Sequence, residues 1–172
     1  TSRREELSQR HNAARAIMPL VLSEISEFCL KAATTIANEI EARGFDDETD
    51  WTAQLAAERN PQTLPSPHFP HSAVSALQPF IETLKDSSDV RHVAELIASL
   101  QILTSRYGSV DLHHFATVQS LYGLLVDSAK ARLLAHAIFN YARFLDNKPF
   151  GLVGRATNRQ MWDEIRGEAH GL

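Results

Sequence analysis

A chain of 172 residues, 44% hydrophobic and 22% charged, suits one domain with a proper core and is too apolar for wholesale disorder. Its net charge of −4 argues against a dedicated nucleic-acid binder, which would present a basic face. The single cysteine, Cys29, can close no internal disulfide, and the longest apolar run, Ala16 to Leu22, is seven residues with Pro19 inside it, against the ~20 needed to cross a bilayer.

The charge is unevenly placed. Residues 1–15 carry four arginines against Glu5 and Glu6, residues 16–60 carry nine acids against three bases, and the remainder is balanced at ten of each. A basic start therefore leads into an acidic block.

Ser2 and Glu5 have the spacing of a capping box, and Gly44 stands where a helix would stop. Between them Leu7, Ala14, Met18, Val21, Ile25, Phe28, Ala32, Ile36 and Ile40 recur every three or four positions. This predicts one long helix over about 3–43 with a single apolar stripe. Pro19 lies inside it and predicts a kink, because proline removes a backbone hydrogen bond to the residue four back, Arg15. Large apolar residues are scarce ahead of Pro19 and dense after it, so the front is expected to project while the rear packs. Cys29 neighbours Phe28 on the stripe and is expected to be a buried, inert thiol.

An acidic connector, Phe45 to Asp50, precedes a short helix over about 50–59. The segment 60–71 holds four prolines and predicts an extended surface crossing, with Leu64 and Phe69 as anchors. Val74, Leu77, Phe80, Ile81 and Leu84 mark the next helix, opened by Ser72. After the turn Asp86 to Asp89, which offers N-cap residues, Val90, Val93, Ile97, Leu100 and Leu103 mark another, stopping at Gly108. The short connection implies an antiparallel pair. Asp111 is read as the cap of a second long helix over about 111–145, with the stripe Leu112, Phe115, Val118, Tyr122, Leu125, Ala129, Leu133, His136 and Phe139 or Asn140. A loop over 146–156 and a short helix capped by Thr157 and Gln160 complete the chain. The expected fold is an all-α, mostly antiparallel helical bundle of four longer and two short helices in one domain, with the proline segment on its surface.

Chemistry is sparsely signalled. Eight histidines raise the question of a metal, but none is spaced four from another, and His68 and His71 sit where prolines exclude a helix. No metal and no cofactor is expected. His113 and His114, near the start of the second long helix, and His136 on its stripe are the candidate catalytic residues; the dipole at a helix start would keep a histidine neutral. The alternative for all three is an ordinary first-turn or hydrogen-bonded core histidine. Lys148, Arg155 and Arg159 surround a glycine-containing loop that precedes a capped helix, a candidate anion site that lacks the phosphate-loop pattern. No Gly-x-Ser-x-Gly elbow is present.

Dense alanines at 13, 14, 16, 32, 33 and 37, and again at 129, 131, 135, 137 and 142, permit close helix approach within or between subunits. The expected function is that of a non-enzymatic helical interaction or regulatory domain, binding a protein partner or a second copy through the first helix. The expected location is cytoplasmic. One form of this reading is the cytosolic part of a membrane-anchored protein, at the cytoplasmic face of the inner membrane. The chain begins at Thr1 and carries Arg3, Arg4, Arg10 and Arg15, as a flank following an upstream span would. The competing class is a small helical-bundle enzyme or ligand-binding protein with a histidine-containing pocket.

Overall fold

The computed structural model describes residues 2–42, 67–113 and 118–151, without the side chains of 42, 109–113 and 118–119. Among these residues the regular elements are four α-helices: α1 (Arg3–Ala42), α2 (His71–Thr83), α3 (Ser87–His113) and α4 (Val118–Ala142). The short helices expected over 50–59 and 157–167 lie outside the described residues, as does Leu64.

The capping box forms as its spacing requires. The Ser2 N–H donates to Glu5 Oε2 at 2.9 Å and the Glu5 N–H to Ser2 Oγ at 3.4 Å. From there α1 runs 40 residues, about 60 Å at 1.5 Å per residue. It continues through Pro19, whose missing N–H leaves the Arg15 carbonyl without its intrahelical donor. Met18, Val21, Ile25, Phe28, Ala32, Ile36 and Ile40 are all buried, as the stripe predicts. Ala14, ahead of them, is partly buried, and Leu7 is half exposed.

The helices pack as an antiparallel bundle, and pairings along their lengths show the direction. On α1 and α4, His11 meets Tyr141 while Ser26 meets His136. On α3 and α4, His92 meets Leu134 and Arg106 meets Asp127. On α1 and α2, His11 meets Thr83 and Phe28 meets Phe69. The most extensive interface joins α1 and α4. Alanines are buried on both helices, Ala32 and Ala33 on α1 and Ala129, Ala131, Ala135 and Ala142 on α4, and small side chains permit close helix approach. Ala13 and Ala16 stay exposed. Phe69, just ahead of α2, packs edge-on against Phe28 at 5.4 Å and anchors the end of the proline segment.

Two expectations about the second half are corrected. The helix marked by Val90 to Leu103 does not stop at Gly108; α3 continues to His113 and takes in Asp111, which lies inside it and not at the head of the next helix. The second long helix, expected over 111–145, is α4, Val118–Ala142. Glycine weakens a helix interior by about 1 kcal/mol and permits a stop without compelling one. The buried line on α4 is also rotated from the expected stripe. Of that stripe Leu125 and Ala129 are buried, together with Leu121, Leu124, Ser128, Ala131, Ala135, Ile138 and Ala142, while Tyr122, Leu133, His136 and Phe139 are half buried on the flank. Because α4 packs on both α1 and α3, it is apolar over most of its circumference, and spacing alone does not select one line.

Gly108 keeps helical backbone, and a Cβ there would meet no atom within 4 Å. Gly108→Ala is therefore expected to stabilise the protein by about 1 kcal/mol. At Gly151 a Cβ would collide with the Ser88 carbonyl at the start of α3. Gly151→Ala is expected to cost about 1–3 kcal/mol, and urea denaturation midpoints of the two variants should move in opposite directions.

Candidate functional site

Buried polar groups concentrate at one end of the bundle. There α1 passes the last turns of α2 and α4 and the first turn of α3. Asp86 caps α3, accepting the Ser88 N–H at 2.8 Å. Three residues on, Asp89 is 4% exposed and turns inward. Its Oδ1 accepts the backbone N–H groups of Phe150 and Gly151, each at 2.8 Å, and so holds the segment after α4 against the start of α3. The Phe150 ring is thereby buried beside Tyr141 at 5.2 Å, with the edge of His92 at 5.5 Å. His92 donates from Nε2 to the Leu134 carbonyl at 2.8 Å.

Arg15 is the opposing grip, and it too is buried, at 5% exposure. Nε donates to the Tyr141 carbonyl at 2.6 Å, Nη1 to Asn147 Oδ1 at 2.9 Å and Nη2 to the Asp146 carbonyl at 2.9 Å. The guanidinium plane is stacked between the Tyr141 and Phe144 rings, 3.9 and 4.1 Å from their centroids. A cation suits this place because the C-terminal carbonyls of α4 are the negative end of its dipole. The helix ends in a Schellman motif: the Leu145 N–H bonds to the Asn140 carbonyl and the Phe144 N–H to the Tyr141 carbonyl, both at 3.0 Å. Its left-handed residue is Phe144, at φ 60°, where glycine is usual. The stack on Arg15 offsets part of that strain.

Next to Arg15, His11 bridges three helices. Thr83 Oγ1 donates its only proton to the Phe80 carbonyl at 2.8 Å, so at 3.0 Å from His11 Nδ1 it must accept. Nδ1 therefore carries the proton and Nε2 is bare, receiving the Tyr141 O–H at 2.8 Å. Burial, then the nearby charges of Arg15 and Lys85, holds the His11 pKa below its usual value. Burial is also the main cause that raises the Tyr141 phenol, against the opposing pull of Arg15. These groups line a recess of about 300 Å³ together with Lys85, Asp86, Asp89, Asn147 and Pro149.

The expected candidates lie elsewhere. His113 belongs to α3 and is not an early residue of the next helix, so the helix-start argument made for it does not apply. His114, Arg155 and Arg159 lie outside the described residues. Lys148 is exposed, and its N–H bonds to Asp146 Oδ1 at 2.8 Å. His136 is half buried, with Nε2 2.9 Å from Ser26 Oγ, which also accepts from Arg132 Nε at 3.2 Å. Burial and then Arg132 lower its pKa. A serine beside a histidine has the spacing of a nucleophile and a base. Both residues, however, are deep inside helices whose backbone amides are committed to intrahelical carbonyls, so neither helix offers the hydroxyl the backbone N–H pair that acyl transfer commonly uses.

Burial pushes the Cys29 thiol up to about 12, which makes it the inert core thiol expected. His68 and His71 share a second recess, about 330 Å³, with Glu24, Glu27 and Lys31. Among the described residues no group of three or more histidine, cysteine, aspartate or glutamate side chains could hold a metal ion. Among the same residues no helix is long and apolar enough to cross a membrane. No protein-family model, curated protein or solved structure matches the chain.

Arg15 and Asp89 escape a reading of the sequence because their partners are far along the chain. A signal exists for Arg15: it is a charge on the face that carries Met18 and Leu22, three and seven residues on. Arg15→Met should cost about 3 kcal/mol in chemical denaturation, because carbonyls at the end of α4 lose buried donors. At Phe144 the backbone and ring contributions separate. Phe144→Gly should be about 1 kcal/mol more stable than Phe144→Ala, since both lose the stack and only glycine relieves the left-handed backbone.

Proposed function

We propose that the chain is a non-enzymatic helical interaction domain whose binding element is the front of α1. The observation behind this reading is the mismatch between the α1 stripe and the bundle that covers it. Leu7 follows the same spacing as Ala14, Met18 and Ile25, yet every described residue from Ser2 to Arg10 is exposed. Two turns of helix held only by a capping box are marginal in water, and a packed neighbour would stabilise them. Arg3, Arg4 and Arg10 flank Leu7, so the complementary partner is an amphipathic helix with apolar and acidic positions. The same arginines would suit an anionic membrane surface if the chain works beside one, as the membrane-anchored form of this reading requires.

The competing reading, a ligand-binding protein, draws on the polar recess at His11 and Tyr141. It has less support, because the guanidinium of Arg15 and both nitrogens of His11 are already engaged within the fold.

Hydrogen exchange on the protein with its bound partner tests the proposal. Amides of residues 3–10 are expected to exchange freely in the isolated chain and to gain protection in the complex. Leu7→Asp should weaken the complex at least tenfold while leaving the unfolding midpoint within error. Self-association that Leu7→Asp abolishes would identify the partner as a second copy. A partner whose footprint leaves residues 3–10 unprotected, or that binds Leu7→Asp equally well, overturns the proposal.

A further inference from the structure

The His11 bridge is the outermost attachment of α1: every described residue ahead of it is exposed, and it is the first whose side chain reaches other helices. We infer that His11 is a pH-sensitive tie, which fastens α1 to α2 and α4 as a neutral imidazole and lets this end of the bundle open when it takes a proton.

The geometry specifies the neutral form. Thr83 is committed to the Phe80 carbonyl and can only accept, which puts the ring proton on Nδ1. The Tyr141 hydroxyl then supplies the proton for Nε2. An imidazolium would present an N–H at Nε2 to a hydroxyl already donating toward it, and the Tyr141 proton would have to turn away from its acceptor.

The charges around the ring reinforce this. From α1 it faces Arg15, whose guanidinium lies 3.9 Å over the Tyr141 ring. The α2–α3 connection contributes Lys85 and Asp86, α3 contributes Asp89, and α4 contributes the Tyr141 phenol. The two acids could attract an imidazolium, but Asp86 is bound to Ser88, and Asp89 Oδ1 to the amides of Phe150 and Gly151. The nearest cations are therefore the dominant charges, in agreement with the lowered His11 pKa.

The direction follows from linkage. An opened or unfolded chain binds a proton at His11 in the ordinary histidine range, whereas the closed one resists it. The tie is therefore at full strength above that range and is lost as pH falls through it and below. Arg15 and the buried residues from Met18 onward do not depend on this proton, so the opening is local. It involves the front of α1 and the last turn of α2, whatever binds the front of α1.

Residue-resolved proton titration of the full chain by NMR, from pH 8 to 5, with amide exchange converted to protection factors, tests the inference. The His11 ring should titrate below the ordinary histidine midpoint, and protection of residues 11–14 and 80–84 should fall at least tenfold over the same interval. His11→Gln, which keeps an amide donor for Thr83 and an acceptor for Tyr141, should make that protection independent of pH. His136→Gln, the other histidine with a lowered pKa, should leave the transition in place. Should His11→Gln not fold, Tyr141→Phe serves: it removes the donor to the bare nitrogen and should raise the His11 midpoint. An ordinary or raised midpoint in the wild-type chain, a transition that survives His11→Gln, or a midpoint unmoved by Tyr141→Phe overturns it.

Discussion

The long contact between α1 and α4 sets the terms for the rest of the molecule. Each helix carries a run of buried side chains, Met18 to Ile40 on α1 and Leu121 to Ala142 on α4, and alanines among them permit close approach. Apolar area of this extent supplies most of the driving force for folding, roughly 25 cal/mol for each Å² removed from water. Close approach has a geometric consequence as well. It aligns the first half of α1 with the C-terminal end of α4, where four carbonyls lack intrahelical donors. Arg15 sits at that level and supplies three hydrogen bonds to α4 and the residues beyond it.

Arg15 and Asp89 can be understood as one device, although they do not bond to each other in the contacts described. Each is a buried charge, and each is compensated by groups on the same segment, 141–151, which reverses direction after α4. A buried charge without such partners would cost several kcal/mol. With them, it places a loop whose Phe144 and Leu145 stay exposed: Asp89 holds two amides in line, and Phe150 enters an aromatic cluster with Phe80 and Tyr141. Specific polar contacts do at this end of the bundle what the apolar stripe does along its length.

The front of α1 shows the opposite situation. It has the inner-face spacing of a packed helix and no described neighbour, and it carries Arg3, Arg4 and Arg10 beside Glu5 and Glu6. A helix that is well capped but unsupported belongs to the low-stability end of a structure, where opening and binding both take place. His11 stands at the boundary between this exposed stretch and the packed body.

The amino-acid sequence by itself determined the class of fold, where α1 begins and which residues it buries after Pro19, because those depend on local periodicity and capping. Ser2, Glu5 and the spacing from Met18 to Ile40 carry that information within one turn of helix at a time. It did not determine where α3 ends, which line of α4 faces inward, or that His11, Arg15, Asp89 and Tyr141 meet. Gly108 allows either outcome locally, and α4 is apolar on nearly every side, so neither propensity nor period discriminates. His11 finds Tyr141 across 130 residues and Asp89 finds Phe150 across 61, and only the packing of α1 on α4 brings such distant groups within hydrogen-bonding range.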